Sequence, residues 1–300
     1  MLRIGIIGLG DIAQKAYLPV LSKNDVEVHL YTRDQGKLRA IGGQYRYVNL
    51  HDSLDAMISA GINAAFVHTS TAAHEAVVSK LLNNNIHVFV DKPITYHYAS
   101  AERLLTLAKT KALILSVGFN RRYAPSIQEL KSLDSTMIVM QKNRKSLPGD
   151  IRTFIFDDFI HVVDTLLYLS PLPIVQLIVN GKKKDDLLYH VVVQFIFPEG
   201  RTAIGIMNRD CGTVEERVEV FTPEQKRLVV NVTDSYILKD KNTIKVGVND
   251  WESTLAKRGF DQMVNEFLRE VKFGSSFHYE DHLLTHKICE EIVNRLESLS

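Results

Sequence analysis

The chain opens with M-L-R-I-G-I-I-G-L-G-D-I-A, residues 1–13. Residues 2–7 form a short apolar, β-branched run, which is typical of a buried parallel strand. Gly8, Gly10 and Ala13 then have the spacing of a glycine-rich turn that opens a helix, here predicted over residues 12–22. This stretch therefore predicts the strand, turn and helix of a dinucleotide-binding fold.

Each small residue in this turn has a physical task. Gly8 permits the tight turn, Gly10 lets the backbone approach a pyrophosphate, and Ala13 lets the helix pack closely on the strand. The pyrophosphate would lie on the free N–H groups of the helix N-terminus. One glycine motif is weak evidence, and its place before further strand–helix alternation strengthens it. The predicted cofactor contacts here are Gly8, Gly10, Asp11, Ile12 and Ala13.

Length and composition indicate an ordinary globular protein of two domains. At 300 residues the chain is longer than one hydrophobic core comfortably organises. Hydrophobic residues make up 45% and charged residues 24%, which are ordinary values. Because 36 basic residues face 35 acidic ones, no overall charge attracts nucleic acid or an anionic membrane. Any site for a polyanion must therefore be local, and we predict neither a nucleic-acid nor a membrane partner.

The sequence also predicts the compartment. No apolar run approaches the roughly 18 residues of a membrane span. The N-terminus enters a strand directly, without the long apolar segment and cleavage site of a signal peptide. Cys211 and Cys289 lie far apart and form neither a C-x-x-C pair nor a disulfide framework. We therefore expect a cytoplasmic protein.

The predicted elements change their pattern near the middle of the chain. Residues 1–120 alternate short strands with helices, which predicts a doubly wound parallel sheet, the Rossmann domain that binds NAD(P). From residue 121 a few helices, one predicted over 157–169, lead into seven apolar, β-rich runs between residues 175 and 248. Residues 121–300 are thus predicted to form an α+β domain for substrate binding and oligomerisation, with a large, mostly antiparallel open sheet.

The end of the second predicted strand bears on the choice of cofactor. An NAD site usually has an acidic residue about 20 positions after the glycines, where it holds the ribose 2′-hydroxyl. Here that region reads Thr32-Arg33-Asp34. A guanidinium beside a hydroxyl residue suits a 2′-phosphate, so Thr32 and Arg33 predict NADP(H). The alternative is that Arg33 is a solvated loop charge and that Asp34 holds the ribose of NAD.

A lysine and one helix face carry the candidate chemistry. Lys92 follows a buried strand, at the edge where open α/β sheets bind ligands, and the next residue, Pro93, keeps it extended. Asp157, His161 and Asp164 share a helix face at i, i+4 and i+7. Histidine can accept the proton of an alcohol, an ionised aspartate raises its basicity, and a lysine can stabilise the alkoxide. This is the chemistry of an alcohol dehydrogenation.

These features also allow other interpretations. A lysine at a strand end is often only solvated. The face of Asp157, His161 and Asp164 could be a structural network, or a metal site with two carboxylates and an imidazole. No further ligand cluster accompanies it, so we predict no metal. His74 lies on the first turn of another helix, either close to the cofactor or partly exposed with no special task.

Five motifs together resemble the Gfo/Idh/MocA oxidoreductase family over essentially the whole chain. They are G-L-G-D-I-A from Gly8, T-S-T-x-x-H from Thr69, D-K-P-I from Asp91, G-F-N-R-R-Y-x-P from Gly118 and D-x-x-x-H-x-x-D from Asp157. The runs around 11–19, 66–74, 117–125, 157–170 and 253–260 resemble its MviM-like branch.

The resemblance implies an NAD(P)-dependent oxidoreductase that acts on the CH–OH groups of sugars, polyols and their derivatives, and that forms a homodimer or a higher homo-oligomer. It implies that Lys92, Asp157 and His161 are the catalytic residues. It also implies that Thr69, Ser70, His74, Asp91 and Arg122 line the cofactor pocket.

Three positions depart from the family pattern. Asp91 replaces a glutamate, and Ser70 replaces a proline after the fourth strand. Phe159 replaces a glycine, and it follows Phe154-Ile155-Phe156 in place of a glycine-rich approach. An aromatic side chain at 159 is expected to narrow the pocket, which puts the usual sugar specificity in doubt.

This departure leaves two hypotheses about function. The first is the oxidoreductase, and the second is a weak or inactive dinucleotide-binding sensor or regulatory protein on the same fold. Phe159 favours the second. Retention of Lys92, Asp157 and His161 together favours the enzyme, because a binding module does not need all three.

Overall fold

The computed structural model describes residues 1–247, 251–274 and 279–298. It divides into two compact units, Met1–Gly118 with Phe260–Leu284, and Phe119–Gly259 with Thr285–Ser300. The segment 260–284 thus belongs to the first unit, whereas the sequence prediction placed it in the second domain. The reason is aromatic packing, because the ring of Phe267 lies edge-on to Phe66 and Phe89, with centroids 5.1 and 5.5 Å away.

The first unit contains a sheet of six parallel strands. They are β1 (Leu2–Ile7), β2 (Val26–Tyr31), β3 (Asn49–His51), β4 (Ala64–Val67), β5 (His87–Val90) and β6 (Leu115–Val117). Their order across the sheet is β3-β2-β1-β4-β5-β6. The direction of winding reverses between β1 and β4, and such sheets bind dinucleotides at the carboxyl ends of the strands beside this point. The predicted Rossmann fold is confirmed.

Helices connect these strands. They are α1 (Leu18–Leu21), α2 (Gln35–Tyr45), α3 (Leu54–Ser59), α4 (Thr71–Asn83) and α5 (Tyr98–Thr110). The helix predicted over 12–22 begins as a π-helical turn, Ala13–Tyr17, which continues into α1. The side chains of Asp34 and Ser53 accept backbone N–H groups of α2 and α3 and so fix where those helices begin.

The second unit contains an eight-stranded sheet. Its strands are β7 (Met137–Asn143), β8 (Gln176–Lys184), β9 (Leu187–Ile196), β10 (Thr202–Asn208), β11 (Glu215–Phe221), β12 (Lys226–Val230), β13 (Asp234–Lys239) and β14 (Asn242–Val246). The order is β14-β13-β12-β11-β7-β10-β9-β8, and only the β7–β10 pair is parallel. The predicted, mostly antiparallel sheet is confirmed. The end of its last predicted run, at 248, lies outside the described residues.

The helices of this unit are α6 (Pro125–Lys131), α7 (Ile151–Phe154), α8 (Ile160–Leu169) and α9 (Thr254–Lys257). A π-helical turn, Ile155–Phe159, joins α7 to α8. The helical segment therefore begins at Ile151 rather than near residue 157, because the Asp150 carboxylate caps it by accepting the Thr153 N–H at 3.0 Å. A Cβ at Gly205 of β10 would lie 2.9 Å from the side chain of Val162 on α8. The absence of a side chain at Gly205 therefore lets α8 pack closely on the sheet.

Two longer helices end the chain, α10 (Phe260–Phe273) and α11 (Tyr279–Ser298). Along α10, the buried positions Met263, Val264, Phe267 and Leu268 recur at helical spacing and form its apolar face. Within the described ranges, no helix is both long enough and apolar enough to cross a membrane.

Candidate active site

The glycine turn after β1 has the shape of a phosphate cradle. Gly8 has a φ of +88°, and a Cβ there would lie 2.7 Å from the backbone carbonyl of His68, so no other residue fits without movement. A Cβ at Gly10 would meet no atom within 4 Å. The turn thus packs against the end of β4 at its first glycine and faces open space at its second. The residues present fit the pyrophosphate of a dinucleotide.

The helix start beside this space follows the predicted pattern. Ala13 has no exposed surface, which shows the close packing that a small residue allows. Ile12 is 41% exposed, and the exposed carboxylate of Asp11 forms an ion pair with Lys15. The first helical hydrogen bond runs from the Gln14 N–H to the Gly10 carbonyl at 3.2 Å. The preceding N–H groups therefore lie outside the helical hydrogen-bond pattern, where a phosphate can accept them.

At the end of β2, Asp34 and Arg33, the two candidate ligands for the ribose, differ in their hydrogen bonding and exposure. The Asp34 carboxylate accepts the backbone N–H of Lys37 at 2.9 Å, which caps α2. Arg33 is exposed, and Thr32 before it is half-buried. The carboxylate is therefore engaged in holding the helix, whereas Arg33 presents a guanidinium to solvent at the carboxyl edge of the sheet.

Asp91 lies at the centre of a hydrogen-bonded group of three residues. Its Oδ1 accepts the Tyr17 hydroxyl at 2.9 Å, and its Oδ2 lies 2.8 Å from Nδ1 of His68. The Tyr17 and His68 rings pack together with centroids 4.0 Å apart. Burial opposes ionisation of Asp91, but His68, Tyr17 and the charge of Lys92 outweigh it and lower the pKa of this carboxyl. Asp91 is therefore an ionised anchor for the backbone that carries Lys92.

Sequence reasoning missed both partners of Asp91. Tyr17 comes from the first helix and His68 from the end of β4, at the end of the run N-A-A-F-V-H. A histidine that directly follows a buried strand, at the ligand edge of the sheet, was the available signal. Burial raises the pKa of Tyr17 well above its usual value, and the charge of Asp91 adds to this effect, so the phenol stays a donor.

His74 connects two loops at the same edge. Its Nδ1 lies 3.0 Å from the Pro93 carbonyl, and its Nε2 lies 3.1 Å from the Thr69 carbonyl. The residue is 1% exposed, so the interpretation as a partly exposed histidine is wrong. Burial lowers its pKa, although the two carbonyls act in the opposite direction. Its position ties the loop after β4, with half-buried Thr69 and exposed Ser70, to the loop that holds Lys92.

Asp157, His161 and Asp164, which were predicted to share one helix face, differ in burial and in their partners. Asp157 is half-buried and His161 is 8% exposed. Asp164 is 1% exposed, and its Oδ1 accepts Nη2 of Arg122 at 2.6 Å and the Thr285 hydroxyl at 3.1 Å. The structural interpretation therefore fits Asp164. It also places the Arg122 guanidinium, a predicted cofactor contact, in a buried ion pair.

Phe159 is fully buried, as are Phe154 and Phe156. The three rings fill the core of the second unit, and the Arg209 guanidinium lies 4.3 Å from the centroid of Phe154. Phe159 therefore exposes no surface beside the half-buried Asp157. The expectation that its ring narrows the pocket is not supported, because the aromatic residues that replace the glycine-rich approach are core residues.

Two further observations concern metal and thiol chemistry. Among the described residues, no group of three or more His, Cys, Asp or Glu side chains could hold a metal ion. Cys211 and Cys289 are free thiols, and burial raises the pKa of Cys289 well above its usual value.

A parallel sheet wound in this order, with a glycine cradle at its switch point, defines a dinucleotide-binding protein. The model of the GFO_IDH_MocA oxidoreductase family, described by its NAD-binding Rossmann fold, matches residues 2–119. The model of the YceM-like C-terminal domain matches residues 123–240. The chain belongs to the Gfo/Idh/MocA oxidoreductase family.

Individual relatives agree with this assignment. The chain is 36% identical over 276 residues to YceM of Salmonella typhimurium, covering 89% of this chain and 88% of YceM. It is 24% identical over 266 residues to myo-inositol 2-dehydrogenase of Thermotoga maritima, covering 79% and 78%. The crystal structure of the dehydrogenase MviM from Clostridium difficile is similar with a TM-score of 0.92 and 28% identity, covering 98% and 99%. The resemblance to the MviM-like branch is confirmed.

Proposed function

We propose that the protein transfers a hydride between NADP(H) and a CH–OH or carbonyl group of a sugar, polyol or related compound. The observation that carries the proposal is the set Lys92, Asp157 and His161, each at a position that matches the family motif, on a scaffold with an open phosphate cradle. The similarity to myo-inositol 2-dehydrogenase supports a polyol-like substrate.

The preference for NADP(H) is supported by the end of β2. The Asp34 carboxylate caps α2. The Lys37 N–H occupies only Oδ1 of Asp34, so the preference rests on the guanidinium of Arg33 rather than on the loss of this acceptor. Arg33 is exposed at the same edge, where its planar guanidinium suits a 2′-phosphate.

Bound nicotinamide supplies the hydride acceptor or donor. In the oxidation direction, an imidazole nitrogen of His161 takes the hydroxyl proton while the carbon loses its hydride. Asp157, one turn away on the helix, favours the protonated imidazole. The ammonium of Lys92 stabilises the alkoxide that develops on the substrate oxygen. In reduction the same groups act in reverse, and His161 returns the proton. Acid–base catalysis of this kind contributes about 10²–10⁴-fold.

The alternative hypothesis of a dinucleotide-binding sensor is no longer supported by Phe159. It depended on Phe159 as an obstacle in the pocket, and that ring is buried in the core. The substitution Lys92→Met separates the two functions. In an enzyme we expect turnover to fall about 10²–10⁴-fold while cofactor affinity changes less than twofold. Equal turnover of wild type and variant would refute the role of Lys92.

The cofactor proposal is tested by titrating the protein with NADPH and with NADH. We expect NADPH to bind at least about tenfold more tightly, a difference of about 1.4 kcal/mol. The substitution Arg33→Ala should erase this preference, whereas Arg39→Ala, at another exposed arginine on α2, should keep it. Equal binding of both cofactors would assign the ribose to Asp34. Binding of neither would refute the proposed function.

A further inference from the structure

A cluster of buried charges lies at one end of the sheet in the second unit. Lys142 is at the carboxyl end of β7, and Glu216 lies opposite it on β11. Asp158, from the π-helical turn before α8, forms an ion pair with Lys142. These three side chains are only 3%, 11% and 9% exposed, respectively. Charged groups in such a place require partners of opposite charge.

Arginines surround the two carboxylates. The Nε and Nη2 atoms of Arg121 donate to the two oxygens of Glu216 at 2.9 and 2.7 Å. Nε and Nη2 of Arg144 donate to the two oxygens of Asp158 at 3.1 and 3.2 Å. Nη2 of Arg209 lies 3.4 Å from Asp158 as well.

Arg258 adds a fifth cation to the cluster. Burial lowers its pKa, and so does the charge of Arg121, while Glu216 acts in the opposite direction. Four cationic side chains therefore pair with the carboxylates of Asp158 and Glu216, and Arg258 interacts with Glu216 through its charge. The neighbouring pair of Arg122 and Asp164 adds one charge of each sign and leaves the excess unchanged.

Two observations concern this excess of positive charge. The side chain of Arg209 is 10% exposed, and its buried Nε–H has no acceptor among the described residues. Burial and the charge of Arg121 lower the pKa of Lys142 to about 7, although Asp158 and Glu216 oppose this effect. A buried donor without an acceptor leaves room for a further negatively charged partner. The lowered pKa of Lys142 has the direction that burial and a neighbouring cation produce.

We propose that this cluster binds an anionic group of the substrate, a carboxylate or a phosphate, so that the protein acts on acidic sugars or sugar phosphates. The inference rests on the proposed function, because it makes the cluster part of the substrate site. Arg144 provides the access, since its side chain is 35% exposed. Its Nε and Nη2 atoms donate to Asp158, and the outer edge formed by Nη1 and Nη2 still carries two parallel N–H groups for an oxyanion.

The cluster lies next to the proposed chemistry. Asp158 directly follows Asp157, and the Cα atoms of neighbouring residues are about 3.8 Å apart. His161 lies on the following turn of the same helical segment. An anionic substituent held by Arg144 would therefore orient the rest of a sugar-sized molecule beside these two residues.

The first experiment measures anion binding directly, on the full chain, without turnover. Sodium sulfate is titrated calorimetrically at constant ionic strength into wild type, Arg144→Gln and Arg144→Lys. We expect one saturable site in wild type, a loss of affinity of at least about tenfold in Arg144→Gln, and a smaller loss in Arg144→Lys, which keeps the charge.

The matched control is Arg217→Gln. Arg217 follows Glu216 on β11, so its side chain points to the opposite face of the sheet, where it pairs with Glu215 and Glu219 at 3.8 and 3.5 Å. We expect its sulfate affinity to stay within about twofold of wild type. Equal binding in all four proteins would mean an adventitious ion only and would overturn the proposal. The absence of saturable binding in wild type would overturn it as well.

The second experiment compares kcat/KM for glucose, glucuronate and glucose 6-phosphate with NADP. We expect kcat/KM for one of the two anionic sugars to exceed that for glucose at least about tenfold, and we expect this advantage to disappear in Arg144→Gln. A preference for glucuronate would identify the bound group as a carboxylate, and a preference for glucose 6-phosphate would identify it as a phosphate. If kcat/KM for glucose equals that for both anionic sugars, the anion site is refuted and the proposed oxidoreductase function is retained. Saturable sulfate binding without turnover of any sugar would support the anion site and count against the proposed function.

Discussion

Replacing Asp158 with asparagine should destabilise the second unit strongly. This carboxylate is 9% exposed and pairs with Lys142, Arg144 and Arg209. Asparagine has nearly the same shape without the charge, so the cations would remain buried with a weaker partner. Removing one partner of a buried ion pair typically costs about 3–5 kcal/mol. For a unit of this size, that corresponds to a fall in Tm of roughly 10 °C.

The assay is urea unfolding followed by circular dichroism, with Asp134→Asn as the control. Asp134 makes a single ion pair with Arg201 in the same unit, but its side chain is 85% exposed. Exposed pairs contribute about 0–1 kcal/mol, so this variant should unfold within 1 kcal/mol of wild type. Equal effects of the two substitutions would refute the argument that burial determines the cost.

The pH dependence of the free energy of unfolding provides an independent check on the role of the Asp158 charge. The pKa of Asp158 is lowered in the folded protein because its cationic neighbours outweigh the effect of burial. A lowered pKa contributes stability that is complete above the unfolded value, near 4, and is lost as the pH falls below it. The difference between wild type and Asp158→Asn should therefore shrink as the pH falls below about 4. A difference at pH 2.5 that is as large as the difference at pH 5 would contradict this assignment.

Two further outcomes follow from the structure. Burial and the charge of Glu266 raise the pKa of Glu270 to about 7, so the stability that wild type has below pH 4.5 is lost as the pH rises through 7. In thermal unfolding, Glu270→Gln should match wild type at pH 4.5 and be more stable by on the order of 1–2 kcal/mol at pH 8. Gly10→Val should keep the wild-type Tm and lose NADPH binding, since its side chain would fill the cradle, whereas Gly8→Ala should lower the Tm. A wild-type affinity in Gly10→Val would place the cofactor elsewhere.

Local sequence signals predicted the frame of the molecule well. The glycine turn, the alternation of strands and helices up to residue 120 and the β-rich runs beyond it gave both sheets, because apolar periodicity directly determines which face of an element is buried. The same signals placed Lys92 at a strand end and Asp157 and His161 on one helix.

The partners of the site residues were not predictable, because they come from distant parts of the chain. Nothing near Asp91 in the sequence indicates that Tyr17 and His68 hold its two oxygens. Asp157 and Asp158 are equivalent in the sequence, yet one is half-buried and the other lies within a cationic cluster. Only the folded sheet decides which of two adjacent carboxylates faces those charges.

At Phe159 the sequence suggested a functional change that the structure does not support. Its departure from the family pattern suggested an altered pocket, but a residue change is informative about a pocket only if the side chain faces it. The chain has three phenylalanines within six positions, and they pack into the core together. Three large aromatic residues so close together in the sequence were the signal for burial.

The first unit is discontinuous in the chain, and this has a consequence for protein synthesis. Phe66 and Phe89 are made early, but Phe267, which packs against both, follows only after most of the second unit. At about 5–20 residues per second, Phe267 is synthesised on the order of 10–40 seconds after these two residues. On the ribosome, the nascent first unit therefore presents an aromatic surface for that time, so early termination before residue 260 would leave a fragment prone to aggregation.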